Sequence, residues 1–421
     1  MRRSHRKGGG QQLEVTIAAM GARGDGLASL SDGTPLFVPY ALPGEQVIVR
    51  TAARSASGVR ADMIELLKAS PDRVEAPCPN TAQCGGCILQ HWSFAAQSAW
   101  KLAQVKAAVR RTGFSPDAVQ PLVQPLSSQR RRARFLMQGG KLGFRQRHSK
   151  TIAAFGPCMT LNEGLTQFWH AAQHMPKDTP ESEWLVTDLP AGFDVSIQSK
   201  ATTPEPLTLE RWRDVLPPLS RIAWNGDMLL ELSPPQVELG GLAPVLPIGG
   251  FLQPSLGGQS ALQEAVLRAI PKDADWIADL YCGLGTFAIP LAARGHRVQA
   301  LESYVPAVAA LDAAVRRDPS NIYRIHVGLR NLDLYPLQGE ELTGFDAVVF
   351  DPPRAGAKAQ AKRLAERKVH TVVVVSCNPA TWARDGVLLK EGGYELQSLI
   401  PVDQFSNTSH LELVSTFRRW A

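Results

Sequence analysis

From Asp275 onward the chain alternates short apolar runs with helical segments at a regular interval. The runs are Trp276 to Tyr281, Arg297 to Leu301, Tyr323 to Val327, Ala347 to Phe350 and Val372 to Ser376. Strands spaced by helices in this way build a doubly wound parallel sheet. The ligand crevice of such an open sheet lies outside the carboxyl ends of its strands, so whatever ends each run is a candidate for chemistry. The fifth run ends in Ser376-Cys377-Asn378-Pro379, which sets a thiol at that edge. A thiolate so placed can add to an electrophilic carbon. A lone cysteine is more often a small buried hydrophobe, and its neighbours decide between the two.

Two other runs end in residues suited to a ligand. Trp276 to Tyr281 leads into Cys282-Gly283-Leu284-Gly285-Thr286 and then an apolar helix, Phe287 to Ala293. Glycines let backbone approach a ligand closely. Arg297 to Leu301 is followed by Glu302, an acid suited to a ribose diol. Gly-Leu-Gly-Thr-Phe-Ala matches only the looser, alanine-ended form of the dinucleotide fingerprint. That leaves a nicotinamide dehydrogenase open and makes an adenosine-bearing cofactor the shared requirement. The fourth run delivers Asp351-Pro352-Pro353 to the same edge. Two prolines fix φ and remove amide donors, so this turn holds its carboxylate rigidly; alone it would be no more than a strand terminator.

With 421 residues the chain is long enough for two or three domains, and a 44% hydrophobic content supports ordinary cores. No apolar run approaches a membrane span, and the basic start, Met1 to Gly10, lacks a following signal core, so a cytoplasmic protein without membrane association is expected. Leu13 to about Lys68 reads as short strands broken by turns, which suggests a small barrel. Phe94 to Arg111 has apolar residues at helical spacing. Between Pro121 and Lys150 stand eight Lys or Arg and no Asp or Glu, so this stretch carries +8 in a chain of net charge +6. Its arginines flank Gly139-Gly140 on alternating strands, an arrangement that can face phosphates, and the missing acids favour an anionic ligand over a solvated face. Trp184, Trp212 and Trp224 punctuate weaker strand patterns in a stretch that resists assignment. A helix is expected from Ala261 to Ile270, and a closing hairpin from Tyr394 to Val402 and Leu411 to Phe417.

The six cysteines fall into two groups. Cys282 and Cys377 belong to the sheet edge. Cys78, Cys84 and Cys87 with the distant Cys158 form a four-thiol set, in which Gly85 and Gly86 let the backbone wrap tightly. Four thiolates could hold zinc or an iron–sulfur core, or pair as disulfides. Three close together plus one remote suits a cubane cluster better than the paired Cys-x₂-Cys spacing usual for zinc.

Taken in order, Gln253, Tyr281 to Thr286, Glu302, Asp351 to Gly356, Ser376 to Pro379 and Phe405 to Glu412 resemble the RNA uracil carbon-5 methyltransferases that use S-adenosylmethionine. The resemblance covers nearly the whole chain. Gly21 to Gly26 and Leu36 to Glu45 are similar to the family's TRAM domain, and Cys78 to Cys87 with Cys158 to its iron–sulfur motif. It implies a multidomain α/β protein: an OB-like TRAM barrel over 11–69 that binds RNA; a central α+β domain over 70–250 with a structural 4Fe-4S cluster and the basic RNA-binding hairpin; and a doubly wound, Rossmann-like methyltransferase domain over 251–421.

The same resemblance makes Cys377 the nucleophile that adds to carbon 6 of uracil and Glu412 the base that removes the carbon 5 proton, with His410 as its neighbour. Cys282 is the other candidate thiol. Gln253, Tyr281, Thr286, Glu302, Asn331 and Asp351 are implied to contact the cofactor, and Cys78, Cys84, Cys87 and Cys158 to hold the cluster. Thr286 stands where an asparagine is common, and Ser406-Asn407 where a Pro-His pair is frequent. Relatives carrying both TRAM and the cluster mostly act on 23S ribosomal RNA, so a monomeric enzyme on that RNA is expected. A transfer-RNA uridine methyltransferase and a noncatalytic RNA-binding assembly protein are the alternatives. An amino-group methyltransferase would want an aromatic after its Asp-Pro-Pro turn, where Arg354 stands.

Overall fold

The computed structural model describes residues 10–81, 83–126, 129–147, 149, 151–153, 158–318, 324–367 and 369–419. Met1 to Gly9 of the basic start, His148 and Lys150 of the basic stretch, and Tyr323 of the third expected strand lie outside the described residues. Two compact units divide the chain: residues 1–104 with 405–409, and residues 105–404 with 410–421.

The first unit carries β1 (Gln12–Thr16), β2 (Ala19–Met20), β3 (Gly26–Ser29), β4 (Pro35–Val38), β5 (Gln46–Ser55) and β6 (Gly58–Lys68). They pair in the order β1-β5-β6-β4-β3-β2, antiparallel except for β4 with β6. The period-two alternation of the strands turns Leu36, Val38, Val47, Val49 and Ala61 into one buried cluster. Gly58, at φ 138°, turns β5 into β6 where an added Cβ would fall 2.4 Å from the Pro35 carbonyl oxygen, so only glycine fits. A run of turns bearing Cys78, Cys84 and Cys87 then leads to helix α1 (Phe94–Thr112). The early part of α1 and the preceding loop fasten the distant segment 405–409. The Leu89 amide donates to the Asn407 carbonyl at 3.0 Å, Gln97 Nε2 to Asn407 Oδ1 at 3.3 Å, and Lys101 Nζ to the Phe405 carbonyl at 3.4 Å.

In the second unit, a sheet of β7 (Arg132–Gln138), β8 (Lys141–Gly143), β9 (Ser182–Leu189), β10 (Gly192–Ser199), β11 (Leu219–Trp224) and β12 (Asp227–Glu231) pairs in the order β12-β11-β10-β9-β7-β8. Helices α2 (Glu163–Ala171) and α3 (Pro206–Val215) accompany it. The three tryptophans that resisted assignment lie on β9, α3 and the end of β11 and share one core, with ring centroids 5.5 Å apart for Trp184 and Trp212 and 6.3 Å apart for Trp212 and Trp224.

The remaining sheet of this unit comprises β13 (Trp276–Leu280), β14 (Arg297–Glu302), β15 (Ile325–Leu329), β16 (Ala347–Phe350), β17 (Thr371–Ser376), β18 (Glu395–Val402) and β19 (Glu412–Arg418). Their order is β15-β14-β13-β16-β17-β19-β18, with β13 to β17 parallel and β19 antiparallel to both neighbours. Helices α4 (Leu256–Ala269), α5 (Ala288–Ala293), α6 (Val305–Arg317), α7 (Lys358–Glu366) and α8 (Pro379–Glu391) complete it. Val349, Val373 and Val375 belong to one apolar cluster and Val348, Phe350, Val372 and Val374 to another. Both faces of β16 and β17 are therefore covered, which is why their sequences read as unbroken apolar runs. The chain moves from β13 outward to β15, then returns to β16, so the strand order reverses beside β13 and opens a crevice at the carboxyl ends there. Helix α4 starts earlier than the expected Ala261, because Ser255 caps it by accepting from the Gly258 amide at 3.1 Å. Among the described residues no helix is long and apolar enough to cross a membrane.

Candidate active site

The first wall of the crevice is the turn after β13. Tyr281 leaves the strand at φ 61°, a left-handed conformation rare for an aromatic residue, and Gly283 and Gly285 follow at 55° and 89°. The two glycines differ in purpose. A Cβ on Gly285 would fall 2.8 Å from Leu311 Cδ1, so this residue lets α6 close on the turn, whereas a Cβ on Gly283 would meet nothing within 4 Å and faces open space. Glu302, at the end of β14, is held by four donors: the Gly283 amide to Oε2 at 3.1 Å, and the Ser303 amide, Ser303 hydroxyl and Tyr304 amide to Oε1 at 2.6, 3.1 and 2.8 Å. Asn331 Oδ1 accepts from the Asp333 and Leu334 amides at 3.1 and 3.2 Å, and Asp333 in turn accepts from the Tyr281 hydroxyl at 3.0 Å. The Thr286 carbonyl receives Gln263 Nε2 at 2.9 Å.

The second wall is built from β16, β17 and β19, and its groups are electrostatically uncomfortable. Part of Asp351 still reaches solvent, yet it sits deep enough that desolvation pushes its carboxyl up to about 7. Glu412, at the start of β19, is only 7% exposed, and burial reinforced by the Asp351 charge pushes it up to about 8. The half-buried Cys377 thiol is pushed up to about 11 by burial and by the Glu412 and Asp351 charges, with Arg354 working the other way. Cys377 and Glu412 thus feel each other across adjacent strands, which pair through Ser376 and Leu413. Gln404 Nε2 donates to Glu412 Oε1 at 3.3 Å and to Gln253 Oε1 at 3.0 Å. Cys282 is 3% exposed, and burial, with Asp279 and Glu302 adding to it, raises its thiol well above the usual range.

Three polar residues of the crevice carry no expectation from the sequence: Asp279, Asp333 and Gln404. Asp279 is fully buried on β13, where no well-formed hydrogen bond reaches its carboxyl; burial, then the Asp351 and Glu302 charges, raises it well above the usual range, against a weaker pull from the Ala288 amide. An acid inside the apolar run Ile277-Ala278-Asp279-Leu280 was the available signal. Asp279, Asp351 and Glu412, three carboxyls raised together in the sheet that carries an open glycine turn, fit a positively charged ligand. S-adenosylmethionine, with a sulfonium and an ammonium, has that chemistry.

The basic stretch folds as the expected hairpin, with Gly139 and Gly140 at φ 58° and 71° and Gln138 opposite Lys141. Its charges are not a bare stripe. Arg134 and Arg145 both pair with Glu183 of β9. Arg131 is 6% exposed and donates to Gln259 Oε1 at 2.7 Å and the Gln253 carbonyl at 3.3 Å; burial lowers it to about 10. The acids missing from the local sequence come from β9 and β10. Cys78, Cys84 and Cys87 lie in the first unit and Cys158 in the second, where its sulfur is 3.2 Å from the Thr160 hydroxyl. None of the four is in a disulfide. Among the described residues no three His, Cys, Asp or Glu side chains converge closely enough to hold a metal ion.

A family model described as tRNA (Uracil-5-)-methyltransferase matches residues 247–419, the stretch that builds this crevice. Along nearly its full length the chain is 36% identical to an uncharacterised RNA methyltransferase of Caulobacter vibrioides, covering 96% of this chain and 100% of that one. It is 32% identical to the 23S rRNA (uracil(1939)-C(5))-methyltransferase RlmD of Pseudomonas putida, covering 97% and 94%. The fold matches that of the Pyrococcus abyssi tRNA (uracil-54, C5)-methyltransferase, solved with S-adenosyl-L-homocysteine, at a TM-score of 0.75 and 23% identity over 96% of this chain and 100% of that one. The chain belongs to the RNA uracil-C5 methyltransferase family, enzymes that act with S-adenosylmethionine.

Proposed function

We propose that this enzyme methylates carbon 5 of a uridine in 23S ribosomal RNA, with Cys377 as nucleophile and Glu412 as base. The observation that carries the reading is the pairing of a half-buried thiol and a buried carboxyl whose charges oppose each other at one sheet edge. Uracil carbon 5 is a poor nucleophile until a thiolate adds to carbon 6 and makes an enolate. S-adenosylmethionine, when bound, supplies the methyl group that carbon 5 takes up. Glu412 then removes the carbon 5 proton, and the C–S bond breaks as the thiolate is expelled. At neutral pH a thiol at about 11 is roughly 10⁻⁴ ionised. A protonated Glu412, a neutral Asp351 and the Arg354 guanidinium all ease that ionisation. Glu412 thus starts the cycle neutral, which favours the thiolate, and must lose its proton before it serves as base.

Gln253, Tyr281, Thr286, Glu302, Asn331 and Asp351 line the cofactor side in this reading, and Asp279 joins them. The sheet over 12–68 serves as the TRAM-type RNA module, and the exposed members of the basic hairpin, Arg134, Lys141 and Arg145, touch phosphates. Cys78, Cys84, Cys87 and Cys158 would hold a structural 4Fe-4S cluster with no part in the reaction, which requires their side chains to draw together, since among the described residues no three of them converge. Anaerobically purified protein should then be brown with about four irons per chain, and stoichiometric zinc without visible absorption would sink that assignment. The RlmD relatives favour ribosomal RNA. The description of the matching family model and the P. abyssi structure favour transfer RNA as the second reading. Transfer of labelled methyl from the cofactor into deproteinised ribosomal RNA or bulk transfer RNA, followed by nucleoside mapping, decides between them. Label in neither RNA rejects both.

A further inference from the structure

Gln404 stands out because its amide is used on one side and orphaned on the other. The residue is 1% exposed. Its Nε2 serves two acceptors at once, Gln253 Oε1 at 3.0 Å and Glu412 Oε1 at 3.3 Å, while its Oε1 has no hydrogen-bond partner. That oxygen lies against the first turn of α4, where a Cβ on Gly258 would fall 2.2 Å from it. Gly258 therefore opens the slot that the amide fills. The NH₂ group satisfies two buried acceptors, but nothing in the packing rewards the orphaned carbonyl that comes with it. The far end of the line is firm. Arg131 donates its backbone amide to the Pro254 carbonyl at 2.8 Å, its Nε to the Gln253 carbonyl at 3.3 Å and its Nη2 to Gln259 Oε1 at 2.7 Å.

We propose that Gln404 is the positioning residue for proton abstraction: its single NH₂ group ties Glu412 to the cofactor-side Gln253 and fixes where the carboxylate can reach. Two acceptors share one donor group, so displacement of Gln253 on the cofactor side changes the hold on Glu412. This rests on the reading of Glu412 as the base.

Two variants break the tie without touching Glu412. Gln404→Met keeps the shape and removes both hydrogen bonds, and Gly258→Ala crowds the amide out of its slot. Each is compared with wild type in single-turnover methylation and in covalent trapping by 5-fluorouridine RNA, which halts before proton abstraction. Both variants should trap at the wild-type rate when cofactor is saturating. Release of methylated RNA should slow by roughly 10–100-fold, with the covalent adduct accumulating. The pH midpoint of release should also rise above that of wild type. Glu412 faces Asp351, Arg354 and Cys377, and the Gln404 hydrogen bond opposes the upward push of burial and Asp351. Wild-type release in both variants overturns the proposal, and so does an equal slowing of trapping and release, which would mark a merely structural role. Should Gln404→Met fail to fold, Gly258→Ala decides by the same readouts. Glu412→Gln run in parallel separates the two ideas. If it stalls with adduct while Gln404→Met releases normally, Gln404 alone is excluded; if it turns over normally, the base reading itself has failed.

Discussion

Glu302 and Glu412 are two glutamates of one sheet, treated in opposite ways. Glu302 receives four hydrogen bonds, three of them from backbone amides, and needs no ligand to be satisfied. Glu412 is buried, takes a hydrogen bond from Gln404, and is pushed towards the neutral form by burial and by the Asp351 charge. The wall that carries Glu302 is assembled in advance, as a binding surface should be. The wall that carries Glu412 and Cys377 is held in a state where charge is unwelcome, so small changes in what lies beside it change protonation. Binding and reaction make different demands on a carboxylate, and under the proposed function the two walls would meet them separately.

Cys377→Ala breaks the contrast most severely. Methyl transfer should fall by at least about 10⁴-fold while cofactor affinity stays at the wild-type value. Trapping by 5-fluorouridine RNA that survives in this variant and vanishes in Cys282→Ala would reverse the assignment of the thiols. Glu412→Gln comes next, with turnover reduced roughly 10²–10⁴-fold and methylated RNA left bonded to Cys377. A slow band carrying labelled methyl on a denaturing gel is the readout. Normal turnover would make His410 the next candidate base.

Glu302→Ala attacks the other wall. Cofactor affinity should weaken by roughly 10–100-fold, through loss of the anchored carboxylate, with the trapping rate at saturating cofactor unchanged. Calorimetric titration that finds wild-type affinity would contradict a cofactor role. The smallest effect is on stability. Glu412 titrates at about 8 when folded against a usual value of 4.5, so the folded state holds the proton more tightly than the unfolded state. Its contribution is complete below about 4.5 and is lost as pH rises through 8. Glu412→Gln should therefore raise the melting temperature at pH 9 relative to wild type by roughly 1–3 °C, and leave it nearly unchanged at pH 4.

Much of the crevice was legible because its strands are covered on both faces and end in residues with strong turn preferences. The valines of β17 and the Asp-Pro-Pro turn after β16 carry local signals that tertiary context does not override. Beyond its β7–β8 hairpin, the middle sheet was not legible. All six residues of β11 are buried, Arg221 among them through its 2.8 Å pairing with Asp194, so neither periodicity nor polarity marks its inward face. The charge of the basic stretch was only half legible for a related reason, since Glu183, which pairs with Arg134, and Asp194, which acts on Arg132, come from strands some forty residues or more later in the chain. Gln404 leaves no trace in sequence at all, because a glutamine becomes unusual only when burial and two acceptors converge on it.

The five residues 405–409 group with the first unit although both Gln404 and His410 group with the second. In evolutionary terms, the amino-terminal 104 residues are not a cassette that can be exchanged at one junction. A graft cut at Gln104 would take away the Leu89 amide, the Gln97 amide and the Lys101 ammonium, all partners of a loop that ends only three positions before Glu412. Any lineage that replaced its amino-terminal end would have had to refit this loop at the same time. A deviation such as Ser406-Asn407 is therefore best sought alongside changes in the first hundred residues, not in the sheet that follows.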